Sequence, residues 1–194
     1  MTAVGLGTAV AQGTIDFHNP NNFPVTVRDA ANNVTTMGSA TSPLGPGTVR
    51  VGLFVGNNGA TFSQMTMVGM TTNSSSSLAL FVGTFNGGVP YSVTGRNQGD
   101  VVSFAFAAWS ISTGALTYQA ALGAPTGYVS HTPVVGNGYT LSGGAGTPPL
   151  TWGTPTTASP WLVNGLELQP VPEPSTIVLG LLGAGALLLR RRKD

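Results

Sequence analysis

Apolar and polar residues alternate with period two along most of this chain. Ile15 and Phe17 share one face of a run from Thr14 to His18. Phe23, Val25 and Val27 alternate with Pro24, Thr26 and Arg28, and Val49, Val51, Leu53 and Val55 alternate with Thr48, Arg50, Gly52 and Phe54. Val102, Phe104, Phe106 and Ala108 line one face of the longest such run, Val101 to Ser110, and Leu162, Leu166 and Leu168 close the pattern. This spacing predicts half-buried β-strands, because successive side chains of a strand point to opposite faces. Leu78 to Phe85 is almost continuously apolar and predicts a strand covered on both faces. Turn signals separate the runs: Asn19-Pro20, Gly56-Asn57-Asn58-Gly59, Asn86-Gly87-Gly88, Gly95 to Asp100 and Gly143 to Pro149. Short strands, frequent turns and no helical period of useful length predict an all-β fold. The expected architecture is a single antiparallel β-sandwich, jelly-roll or Ig-like, over residues 12–170. The stretch 143–160 reads as a surface loop.

The last two dozen residues break the pattern. Pro172, Glu173 and Pro174 come first, then an uncharged run from Ile177 to Leu189, then Arg190, Arg191, Arg192 and Lys193. Each proline disfavours the helical region for the residue before it, so the triplet is expected to be extended and exposed. The apolar run includes Ile177, Val178, Leu179, Leu181, Leu182, Leu187, Leu188 and Leu189. As a helix its 13 residues would be about 20 Å long, short of a hydrocarbon core of about 30 Å. The eight large aliphatics favour insertion at roughly 0.3–0.6 kcal/mol each, outweighing Gly180, Gly183 and Gly185. Four cations can snorkel to lengthen the span. Residues 175–189 are therefore expected to be a C-terminal transmembrane helix that anchors the chain. The basic tail 190–194 would lie in the cytoplasm, with everything before Val171 outside the membrane.

At the other end, Met1 to Ala11 is small and apolar, and Ala9-Val10-Ala11 fits the cleavage site of a secretory signal. Residues 1–11 are read as a partial signal peptide that lacks a cationic start. The chain has no cysteine, so an exported domain must rely on packing and sheet hydrogen bonds. Between Gln12 and Pro170 the charged residues are Asp16, Arg28, Asp29, Arg50, Arg96, Asp100 and Glu167, a net charge of −1 from three arginines against four carboxylates. That argues against nucleic acid as a partner, since phosphate binding needs a basic patch. The surface is expected to present Ser, Thr, Asn and Gly.

The order VPEPST, a Leu/Gly/Ala run, then RRRK at the end of the chain resembles the PEP-CTERM sorting signal. That resemblance implies a bacterial surface protein handled by an exosortase, an integral-membrane cysteine transpeptidase-like enzyme. It assigns the recognition element to Pro172, Glu173 and Pro174, and implies a setting of exopolysaccharide production. GTIDF, GTVRVGLFVG, GDVVSFAFAAW and AGTPP further resemble a group of PEP-CTERM proteins common in Verrucomicrobia-type bacteria. This second resemblance implies one β-rich domain and no activity.

Few other residues suggest chemistry. Asp16 and His18 lie two apart and would share a strand face, where with a serine they would compose a hydrolase triad. No G-x-S-x-G elbow accompanies them, and an exposed face carrying two polar residues is the plainer reading. His18 and His131 make a poor metal set without Cys, and Asp29 and Asp100 are too isolated for a calcium loop. Gly143-Gly144-Ala145-Gly146 lacks the lysine of a phosphate loop. No metal or other cofactor is expected. Trp109, at a strand end, and Trp152, in a Pro/Thr loop, are candidates for stacking on sugar rings, with packing at sandwich edges as the alternative. Asn33-Val34-Thr35 and Asn73-Ser74-Ser75 match glycosylation sequons by coincidence, and the Ser/Thr runs 73–77 and 151–159 could accept O-glycans by composition alone. The expected function is non-enzymatic. An exported cell-surface or extracellular-matrix protein would be sorted through its tail, with a carbohydrate-binding module on exopolysaccharide as the alternative and a secreted hydrolase as the third class.

Overall fold

The computed structural model describes residues 11–171 apart from 21, 77, 79, 144 and 145, and apart from the side chains of 136 and 137. The strands are β1 (Gln12–His18), β2 (Thr26–Arg28), β3 (Val34–Thr36), β4 (Val49–Asn57), β5 (Thr66–Thr72), β6 (Asn86–Asn97), β7 (Val101–Ser110), β8 (Tyr128–His131), β9 (Val135–Thr140), β10 (Ser142–Gly143) and β11 (Glu167–Pro170). One short helix, α1 (Tyr118–Leu122), interrupts them. A small sheet runs β10-β1-β6, and a larger one runs β3-β2-β11-β8-β7-β4-β5, with β9 also on β7. The expected all-β class holds. Its purely antiparallel form does not, because β11 pairs parallel with β2 through Glu167–Thr26 and Leu168–Val27.

The two sheets close on one core. Ile15, Phe17 and Val93 from the small sheet meet Val27, Val51, Leu53, Phe104, Phe106 and Leu168 from the large one. Phe17 and Phe106 stack across the gap with ring centroids 6.0 Å apart. Alternation explains this face. β7 is covered on its other face as well. Ala107 and Trp109 there join Phe54, Ala115, Tyr118 and Ala121 in a second cluster beneath α1 and the 3-10 turn Phe62–Gln64. Thr117 caps α1 by accepting from the Ala120 N–H at 3.2 Å, which helps to hold so short a helix in place.

Two expectations fail locally. Leu78 to Phe85 is not a strand: its described residues form turns ending in a single bridge from Phe85 to Asn73, and Leu78, Leu80 and Phe81 are exposed. Ser and Thr side chains account for this. Ser76 Oγ accepts from the Leu78 N–H, and Thr84 Oγ1 donates to the Phe81 carbonyl, so the backbone is held in local turns instead of a ladder. The stretch 143–160 is also more than a surface loop, because Thr151, Trp152 and Gly153 are buried and Trp152 bridges in parallel to Val163. The β6–β7 turn forms as the sequence suggests: Gly99 takes φ +85°, and Asp100 Oδ2 accepts from the Asn97 N–H at 2.9 Å.

Candidate functional site

Asp16 lies on β1 opposite the core-facing Ile15 and Phe17, yet it is only 1% exposed. The segment around Thr151 covers it, with Thr151 Oγ1 donating to the Asp16 carbonyl at 3.0 Å. Tyr139 pins the same segment by donating its hydroxyl to the Pro149 carbonyl at 2.8 Å. The expectation of an exposed polar face is thereby corrected. Burial pushes the Asp16 carboxyl above its ordinary range, with the His18 bond and charge pulling the other way. Burial likewise raises the Tyr139 phenol far above its usual value. Asp16 Oδ1 pairs with His18 Nδ1, while Oδ2 is buried without a partner among the described residues. In the neutral imidazole, donation from Nδ1 to the carboxylate makes Nε2 of His18 an acceptor, whereas in the imidazolium both nitrogens donate.

His18 stands at the rim of an open cleft of about 690 Å³, lined also by Thr71, Thr72, Ser75, Phe81 and Asn86. The cleft owes its shape to two buried amides. Asn19 donates to the Phe23 and Gly83 carbonyls and accepts from the Phe85 N–H, while Asn73 accepts from the Val49 N–H and donates to the Gly45 carbonyl. Sequence reading missed both. An Asn beside a proline or a serine run reads as a turn, and its tertiary partners here come from up to 66 residues away. The Asp–His half of a triad exists, but among the described residues no serine hydroxyl is hydrogen-bonded to His18.

The remaining candidates disperse. His131 lies on β8, stacked on Phe62 at 4.3 Å, and donates from Nδ1 to the Thr132 carbonyl at 2.7 Å. Asp29 accepts from the Asn33 backbone and side chain, and no three His, Asp or Glu converge among the described residues. The two tryptophans proposed for sugar stacking are core residues. Trp109 is 0% exposed and donates from Nε1 to the Ala115 carbonyl at 3.1 Å. Trp152 is 2% exposed and packs on Phe85 and Phe106 at 5.7 and 5.1 Å. Neither ring has a face free to stack on a glycan.

The sorting residues Pro172, Glu173 and Pro174, the apolar run from Ile177 to Leu189, the cations Arg190 to Lys193 and the leader residues 1–10 lie outside the described residues. What is described is the point of departure. β11 is held between β2 and β8, and Val171, 6% exposed, donates its N–H to the Gly127 carbonyl at 2.8 Å. The Pro-Glu-Pro triplet thus begins at the next residue after a hydrogen-bonded, buried position. Among the described residues no helix is long and apolar enough to cross a membrane.

A family model for the PEP-CTERM protein-sorting motif matches residues 170–193. No curated protein and no solved structure matches the chain. The matched motif is a C-terminal sorting signal of exported proteins, held at the membrane and recognised by an exosortase. It implies how the chain is sorted and, of the described residues, covers only Pro170 and Val171.

Proposed function

We propose that this is a non-enzymatic protein of the cell surface or extracellular matrix, held by its C-terminal helix until an exosortase processes it at or near Pro172–Pro174. The domain would then contribute to a polysaccharide-rich envelope or biofilm. The observation that carries this reading is the sorting motif at residues 170–193, joined without a spacer to a domain with a net charge of −1. A surface of Ser, Thr, Asn and Gly hydrogen-bonds to neutral polymer without charge repulsion between copies. Fractionation of cells expressing the full chain with and without an exosortase tests it. The expected result is surface or released protein only when the exosortase is present, and membrane-held precursor otherwise. Equal release in both strains would refute it.

A second reading, binding of a neutral glycan, is favoured by the cleft at His18. Its rim combines an imidazole acceptor, the hydroxyls of Thr72 and Ser75, and Phe81, 47% exposed. Retardation of the chain in a gel containing the host's exopolysaccharide, lost in Phe81→Ala and His18→Ala, would support it. Unretarded migration of the wild type would dismiss it.

A further inference from the structure

The sheet edge at which β11 ends is also where β7 ends and β8 begins, since Trp109 pairs with Val129 and Tyr128 pairs with Pro170. The connection from Ile111 to Gly127 therefore borders the point where the chain leaves the domain. The two are in contact: Val171 bonds to Gly127, and Gly127 lies against the side chains of Ser110 and Thr113. This connection contains no Asp, Glu, Lys, Arg or His. It exposes Ile111, Leu116 and Leu122 at 37%, 70% and 46%. The display is built from beneath. The Ala115 carbonyl accepts from both the Arg50 guanidinium and the Trp109 indole, fixing the turn before Leu116, while Tyr118 and Ala121 turn the other face of α1 into the core. These apolar side chains, on a pinned turn without charged residues of its own, are left one-third to two-thirds open to solvent among the described residues.

The length of chain that follows limits what this face can meet. Six residue steps separate Val171 from Ile177, the first residue of the apolar run, and span at most about 20 Å when fully extended. The headgroup layer takes up about 5–7 Å of that. The remaining gap of at most about 15 Å is no larger than the radius of gyration, about 15 Å, of a domain this size. We propose that the 111–127 face is a lipid-docking surface: while the tail is in the membrane, Ile111, Leu116 and Leu122 rest in the headgroup region and hold the domain exit, with the adjoining Pro-Glu-Pro triplet, at the bilayer surface. This rests on the reading of residues 175–189 as a membrane anchor. With no charge on the connection, the contact is hydrophobic and insensitive to salt. One charged group reaches the connection from the strand beneath it, the part-buried Arg50 guanidinium held on the Ala115 carbonyl.

The absence of cysteine gives a clean test on the full chain. Gln119→Cys on exposed α1 and Asn58→Cys on the exposed turn after β4, whose nine residues run about 26 Å from the Ser110 end of the sheet, each accept one fluorophore. The labelled chains are reconstituted into phosphatidylcholine vesicles carrying a headgroup-level quencher. Flotation reports anchoring, and quenching reports docking. The expected result is flotation of both, with quenching at 119 several-fold stronger than at 58, unchanged by salt, and reduced to the level at 58 by Leu116→Asp with Leu122→Asp. Flotation with equal quenching at the two sites, or quenching at 119 that survives the double substitution, overturns the docking surface and leaves the anchor standing. Failure to float overturns both.

Discussion

Trp109 and Trp152 are equally buried, but their indole nitrogens are not equally served, and replacing each by Phe separates the two situations. Trp109 Nε1 has the Ala115 carbonyl at 3.1 Å; Trp152 Nε1 is buried with no partner among the described residues. Trimming an indole to a phenyl ring leaves a void whose lost contacts cost roughly 1–2 kcal/mol at about 24 cal/mol per Å³. Trp109→Phe also loses a hydrogen bond worth about 1 kcal/mol, although Ala115 keeps its bond from Arg50 and no carbonyl is orphaned. The expected cost is about 2–3 kcal/mol. Trp152→Phe instead removes an unsatisfied buried donor, relieving about 1–3 kcal/mol, so the variant should lie between about 1 kcal/mol less and about 2 kcal/mol more stable than the parent. For a domain of this size that is a drop in Tm of about 4–12 °C for Trp109→Phe, and a drop of less than about 4 °C or a rise for Trp152→Phe. Thermal melts followed by far-UV circular dichroism, with urea titrations to check that the m-value is unchanged, measure the difference. Equal losses, or a larger loss at Trp152, would refute the account of how these rings are held.

Other outcomes follow from the same contacts. Gly87→Ala drives its Cβ into the Phe17 ring and should destabilise by about 1–3 kcal/mol, seen as a lower urea midpoint. The raised Asp16 carboxyl holds its proton more tightly folded than unfolded. Its contribution to stability therefore grows as pH falls from the folded value to the ordinary value of 3.8, and vanishes as a slope below that. The difference between wild type and Asp16→Asn in a pH series of urea midpoints should increase toward acid; a flat difference would mean that the carboxyl is not desolvated.

The core strands were legible because their burial is set by alternation. In β4 and β7, Val51, Leu53, Phe104 and Phe106 face inward as period two requires. What alternation cannot report is whether the opposite face is covered. Trp109 falls on that face of β7, and only the arrival of Tyr118 on α1 encloses it, with rings 6.2 Å apart. Asp16 is enclosed by Thr151, 135 residues away, a contact no local pattern encodes. Leu78 to Phe85 misled for a different reason: its hydrophobicity suits a strand, but serine and threonine hydroxyls on either side divert its backbone into turns. The tail was the most legible stretch of all, since stiffness, greasiness and charge follow one another within 24 residues and depend on no partner elsewhere in the fold.

The claim on which the account rests is that this tail directs sorting. Its most direct measurement is an immunoblot of membrane, surface and medium fractions from an exosortase-bearing host expressing the wild type, Glu173→Ala, and a chain lacking residues 190–193. The account predicts a shortened wild-type species outside the membrane and full-length, membrane-held precursor for both variants. Identical processing of all three would contradict it.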